Sequence, residues 1–207
     1  MHRSSSNLYP TPFCRDYWRD AVRDFKSLRC LTFAALMIAI CIVLSGRSVP
    51  IYPGISISFG YLARSLCGLV CGPVTAVVFS VAEDNLSFFL NGGGAYFPGY
   101  TLTTVLGTVI YALFFYRARV TVAHIFLAKL CNNILNVFLG GLWSAILYGK
   151  SSLLESYLTY VGGKLVSNAI QLPVQVLLLT VLFGAMLPIL GRTGLLPAQN
   201  TRRISLR

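Results

Sequence analysis

Two apolar segments of membrane length meet at Tyr96-Phe97-Pro98-Gly99-Tyr100-Thr101-Leu102, and this junction narrows the folds open to the chain more than any other stretch. The first segment ends near Leu90 and is broken by Asn91-Gly92-Gly93-Gly94. The second leaves through Thr101-Leu102-Thr103-Thr104 and stays apolar to Tyr116. Proline fixes φ and pushes its predecessor out of the helical region, while glycine reaches conformations that other residues avoid. The junction reads as a rigid connection between two membrane helices, flanked by aromatic rings suited to an interface. Charge content agrees: 11% of the 207 residues are charged and 56% are hydrophobic, whereas an ordinary soluble domain carries about 25% charged residues. The expected class is an all-α integral membrane protein.

Six spans are expected: about Cys30–Leu44, Ile57–Val70, Val74–Leu90, Tyr100–Tyr116, Val122–Leu147 and Tyr157–Leu190. Ser45–Ser56 reads as a loop, and Cys71-Gly72-Pro73 as a tight turn between the second and third spans. The last two spans exceed the roughly 20 residues needed to cross, so they must tilt, kink (Pro173 is the place for it) or project. Twelve basic residues fall in the N-terminal tail, the loop after the fourth span and the C-terminal tail, against Arg47 and Lys150 in loops on the other side. The positive-inside rule then makes both termini cytoplasmic. Three regions result: a cytoplasmic tail over 1–29, a six-helix membrane domain over 30–190, and a basic cytoplasmic tail over 191–207.

Within the first tail, Arg15-Asp16, Arg19-Asp20 and Arg23-Asp24 alternate with Trp18, Ala21, Val22, Phe25 and Leu28 at helical spacing. That pattern makes an amphipathic helix suited to a membrane surface, or one that extends the first span. It is too polar for a signal-peptide core, so no cleavage is expected. The net charge of +11 does not point to nucleic acid, since it is gathered in tails and one loop. Six cysteines without C-x-x-C spacing, with His2 and His124 isolated, predict neither a disulfide framework nor a metal site. No cofactor is expected. Gly149-Lys150-Ser151 lacks the upstream glycine of a phosphate loop, and Gly92-Gly93-Gly94 lacks the spaced third glycine of a dinucleotide loop. Nothing in the chain reads as an enzyme.

Polar residues inside membrane spans are expensive and mark function by default. Lys129, Asn132, Asn136, Gly140 and Trp143 share one face of the fifth span; Lys164, Asn168, Gln171 and Gln175 share one of the sixth. Ser80, Asp84, Ser87 and Asn91 form a third stripe, and Arg64 lies within the second span. With the orientation fixed, Arg64, Asp84, Asn136, Trp143, Lys164 and Asn168 fall in the outer half and predict a polar cavity open to the outside. Inter-helical hydrogen bonding is the alternative, strongest for Asn132, Asn133 and Gln175. A carboxylate such as Asp84 accepts paired hydrogen bonds from an amino-substituted heterocycle, and Asn136 and Asn168 both donate and accept. Trp143, Phe97 and Tyr96 can stack on a ring, while Arg64, Lys164 and Arg47 can meet carboxylates. The set suits an aromatic, amide-rich, anionic solute.

Phe97-Pro98-Gly99-Tyr100-Thr101-Leu102, with Ile110 to Tyr116 behind it, resembles the folate-family S component of bacterial energy-coupling factor (ECF) transporters. So do Ile57 to Leu62, Gly68 with Gly72-Pro73, Asp84, Asn132 to Asn136, Leu142-Trp143 and Leu147 to Lys150. The similarity covers roughly residues 28–190. It implies an S-component-like bundle in the bacterial cytoplasmic membrane. That bundle would capture folate outside and deliver it through a transmembrane scaffold subunit and two ATPases. It also implies a docking pattern of small residues on the first helix, which Ala35 and Ala39 match. The pterin is expected near Asp84, Asn136 and Trp143, and the glutamate near Lys164, Arg64 or Arg47; residues 46–56 and 96–99 would act as lids. Glu83, beside Asp84, points elsewhere, to a cation or the headgroup zone. An S component for another vitamin, riboflavin-like or a modified-base precursor, and a non-transporting membrane scaffold are the competing readings. An ion-coupled carrier would show an inverted repeat, and the spans show none.

Overall fold

A computed structural model describes residues 14–46, 48–52, 55–91, 96–149 and 152–196. Arg47, Lys150, the Gly92-Gly93-Gly94 break and most of both tails lie outside the described residues. Six helices follow in chain order: α1 (Arg15–Phe25), α2 (Leu28–Ser45), α3 (Gly60–Asn91), α4 (Pro98–Phe115), α5 (Val122–Tyr148) and α6 (Leu153–Arg192). The expected loop after the first span carries instead a two-stranded antiparallel ribbon, β1 (Ser48–Tyr52) and β2 (Ile55–Ser58), with Ser48 opposite Ser58 and Val49 opposite Ile57. Alternating β-branched residues in Ile55-Ser56-Ile57-Ser58 favour a strand, a signal that the Pro and Gly content of the segment masked.

Among the described residues five helices are long and apolar enough to cross a membrane, and α3 supplies two spans. Its continuity is broken at Gly72, where φ is 75° and ψ 179°. Arg64 and Glu83 stand 19 residues apart, which along a straight helix is about 28 Å. Their side chains nevertheless meet at 3.0 Å. The chain therefore reverses at Gly72-Pro73, and the two limbs run side by side, as the Gly-Pro pair predicted. Only glycine takes that φ without strain, and a Cβ there would lie 3.0 Å from the Tyr116 ring.

The reversal packs against the start of α2, where the Cys71 thiol donates to the Cys30 carbonyl at 3.5 Å. The α4–α5 connection and the end of α6 reach the same end of the bundle. A continuous core there joins Cys30, Ala34 and Met37 of α2 to Leu69 and Phe79 of α3, Phe115 of α4, Ile125 of α5 and Phe183 and Leu187 of α6. Phe115 and Phe183 meet edge to face at 4.9 Å. α6 continues through Pro173 and Pro188 for 40 residues, or about 60 Å, so it projects rather than breaking at Pro173.

The first helix is separate from the first span, since Ser27 caps α2 by accepting from the Cys30 amide. Its inward side differs from the apolar stripe that the sequence suggested. Tyr17, Asp20 and Ala21 are buried, whereas Trp18 and Val22 are exposed. The reason is Arg117 in the α4–α5 connection, buried with a positive φ of 50°. It binds Asp20 at 2.6 Å and Asp24 at 3.1 Å, and the Tyr116 hydroxyl donates to Asp24 at 2.6 Å. A buried guanidinium must be paired, so the acidic side of α1 turns in and its tryptophan faces outward, where an interface suits it.

Gly72→Ala is expected to cost about 1–3 kcal/mol through its backbone conformation, with further loss as Tyr116 moves away. The measurement is the thermal unfolding midpoint in detergent, and an unchanged midpoint would contradict a reversal seated on Tyr116.

Candidate ligand-binding site

Away from the packed end the helices part around a cavity of about 300 Å³. α4 contributes Thr103, Thr104, Gly107, Thr108 and Tyr111; α5 contributes Lys129, Asn132, Asn133 and Asn136; α6 contributes Asn168, Gln171 and Gln175. Tyr61 and Arg64 of α3 and Ser58 at the end of β2 close the remaining wall. Spacings of three and four along α5 and α6 put these amides on facing sides, so the two polar stripes read from the sequence meet across one space. The α4 hydroxyls find partners by back-bonding to the preceding turn, as Thr108 does to the Thr104 carbonyl at 2.9 Å.

Charge within the cavity is distributed unevenly. Arg64 donates through Nε and Nη2 to the two Glu83 oxygens, each at 3.1 Å, and Glu83 is 1% exposed. Glu83 thus points to a cation within the protein, and the headgroup zone is excluded for it. Lys129 is 5% exposed. Its Nζ donates to the Tyr111 hydroxyl at 3.3 Å and lies 4.3 Å from the centre of the Tyr61 ring. Among the described residues it has no carboxylate partner within ion-pair distance. The Tyr61 hydroxyl and Gln175 Oε1, on two residues that line this space, are buried without a hydrogen-bond partner among the described residues. Orphaned buried polar atoms are rare unless something else supplies their bonds.

Asp84 lies behind the α4 wall. It accepts from Thr101 at 2.6 Å and Thr104 at 3.3 Å, and Thr101 also meets the Tyr96 hydroxyl at 2.9 Å. Trp143 likewise stands behind the wall, its Nε1 donating to Thr103 at 3.0 Å and its ring 5.6 Å from that of Phe97. Gly99 makes room for both rings, since a Cβ there would collide with Phe97 and come within 2.7 Å of Trp143. Asp84 reaches the cavity through Thr104 and Trp143 through Thr103, both of which line it, while Tyr96 and Phe97 stand one layer further out against Thr101 and Trp143.

Asn136 and Asn168 face the cavity directly. Asn168 donates to the Lys164 carbonyl at 2.8 Å, and its own carbonyl accepts from Asn133 at 3.5 Å. Asn132 donates to the Gly107 carbonyl at 3.0 Å, so Asn132 and Asn133 both tie helices together and line the space. The Lys164 ammonium sits at the outer edge, 3.0 Å from where a Gly140 Cβ would be and on the Asn136 side. Lys129, Tyr61 and Gln175 were not among the sequence-based site residues. Lys129 shared the Asn132–Asn136 stripe and was legible there, whereas nothing local marked Tyr61.

These features define a polytopic membrane protein, closed at one end and holding a polar cavity toward the other. A family model described as "ECF transporter, substrate-specific component" matches residues 29–183, well over half of the chain, and the protein belongs to that family. A "Folate transporter FolT" from Clostridium novyi (strain NT) is 32% identical over 161 residues, covering 77% of this chain and 89% of that protein. A second, from Leuconostoc mesenteroides subsp. mesenteroides, is 27% identical over 148 residues, covering 69% and 77%. A solved structure, "Crystal structure of FolT bound with folic acid", superposes with a TM-score of 0.65 at 27% identity, over 74% of this chain and 91% of that one.

Gly99→Ala is expected to push Phe97 and Trp143 apart and to cost about 1–3 kcal/mol by overpacking. In a Trp18→Phe background the emission maximum of Trp143 should move as it loses Thr103; an unshifted spectrum would show that Gly99 does not seat the indole.

Proposed function

We propose that this protein captures folate on the outer side of a bacterial cytoplasmic membrane. It then hands the vitamin to a transmembrane scaffold subunit driven by two ATPases. The observation that carries the reading is the cavity itself: amides and hydroxyls from four helices around one buried lysine that has no carboxylate of its own. Its volume of about 300 Å³ is at the lower end of the range for small organic ligands. From Lys129 to Gly140 the polar face of α5 rises about 16 Å, which suits an elongated molecule. The names of the similar proteins supply the particular vitamin.

The orientation of the ligand follows from desolvation. Two carboxylates cost far more to bury than a neutral ring with hydrogen-bonding edges. The pterin therefore goes inward, where Lys129, Tyr61 and Gln175 offer donors and an acceptor and Tyr111 offers a ring. The glutamate stays at the outer edge beside Lys164. Arg64, already held by Glu83, shapes the wall, while Asp84 and Trp143 act on the ligand through Thr104 and Thr103. Both termini lie on the cytoplasmic side by their basic residues, and Ala35 and Ala39, exposed on α2, allow the close helix approach that scaffold docking needs.

Tryptophan-fluorescence titration of the detergent-solubilised protein with folic acid, against riboflavin and biotin, tests the vitamin. Saturable quenching specific to folic acid that disappears in Trp143→Phe is expected, and equal responses to the three vitamins would remove folate as the ligand. Comparison with 6-hydroxymethylpterin, which carries the ring but no carboxylate, tests the orientation. Lys164→Met is expected to weaken folic acid by about tenfold or more, the loss of one charge-assisted contact, and to leave 6-hydroxymethylpterin unchanged. A loss on Lys164→Met that is equal for both ligands would reverse the proposed direction.

A further inference from the structure

At the opposite end, a second cavity of about 590 Å³ lies where α1 meets α2, walled by Arg23, Lys26 and Arg29 and floored by Leu28, Val70 and Leu195. All three cations are exposed, and none has a carboxylate within ion-pair distance among the described residues. The one acid in the wall, Asp24, is already engaged by Tyr116 and Arg117. The site is therefore a net positive recess whose internal neutralisation has been spent elsewhere. Its floor is apolar, and Leu28 at its edge is 81% exposed on a membrane-spanning helix. On α1, Trp18 faces outward at 44% exposure, a side chain that suits the level of the lipid headgroups.

We propose that this recess binds the phosphate headgroup of an anionic phospholipid, with the acyl chains running along the exposed face of α2. Guanidinium groups match phosphate oxygens in pairs, and a lysine adds a point charge. Three cations around a phosphate with exposed Leu28 and half-buried Leu195 beside them fit an amphiphile better than a free anion, which would leave those two leucines uncovered. Basic recesses between membrane helices take lipid headgroups on this principle. The site depends on α1, which precedes the residues matched by the family model. Arg117 forms it indirectly, by holding Asp20 and Asp24 inward and leaving the basic side chains of α1 outward.

The test is native mass spectrometry of the delipidated full-length protein with phosphatidylglycerol or phosphatidylcholine added at equal concentration. Phosphatidylglycerol should be retained at least about tenfold more, as expected for several cations near one phosphate. Arg23→Gln/Lys26→Gln/Arg29→Gln should bring retention down to the phosphatidylcholine level. Arg15→Gln/Arg119→Gln/Arg192→Gln removes the same charge at the same end but outside the recess, and should leave the preference intact. Equal retention of the two lipids, or equal loss in both triple variants, would overturn the proposal. Displacement of the lipid by millimolar glycerol phosphate would overturn the lipid assignment and leave a site for a soluble phosphate.

Discussion

The contact between Arg64 and Glu83 is the constraint from which most of the architecture follows. It ties two limbs of one helix that run in opposite directions, so it exists only if the chain turns at Gly72. It also settles which cation remains available. A buried ion pair contributes little net stability, because desolvation of both groups offsets their attraction. Losing one member is costly, however, and the pair therefore fixes how α3 folds on itself even if it adds little to the total. With Arg64 neutralised inside the protein, Lys129 is left as the buried charge among Tyr61, Tyr111 and the amides.

The bundle divides its labour along the membrane normal. Toward the end that carries α1, apolar side chains from five helices interlock and the helices cannot part. Toward the other end the facing residues are threonine, asparagine and glutamine, which cannot pack as closely without satisfying every donor and acceptor. Asn132 to Gly107 and Asn133 to Asn168 tie the helices across this polar region, and the space lies between those ties. Packing at one end is thus what allows a cavity at the other. The helices are anchored where they need not move and polar where a solute must enter.

Much of this was legible in the chain. Span number followed from apolar length and from the Gly72-Pro73 and Phe97-Pro98-Gly99 turns, and the cavity from stripes at helical spacing on α5 and α6. What escaped was the partnering of charges. Arg64 and Glu83 are far apart in sequence and belong to no common periodicity, so only the reversal of α3 reveals that they meet. The depth of Asp84 and Trp143 was likewise hidden: both sit on polar stripes, but one layer behind Thr101, Thr103 and Thr104, a distinction that spacing does not encode. α1 misled for the same reason. Its strongest local signal was an apolar stripe, and a single distant residue, Arg117, turned the other side inward. The β1–β2 ribbon was obscured by prolines and glycine that usually mark a loop.

The length of α6 couples the protein to the thickness of its surroundings. Forty residues make a rod of about 60 Å in a hydrocarbon layer of about 30 Å. Its inner half is fastened by Leu179, Phe183, Leu187 and Leu190, and adjustment to a thinner or thicker bilayer must be absorbed by inclination of the outer half. That half carries Asn168 and Gln171, which line the cavity, with Lys164 beyond them. The α6 wall of the cavity is thus continuous with the part of the helix that must fit the bilayer, so binding space and membrane share one structural element.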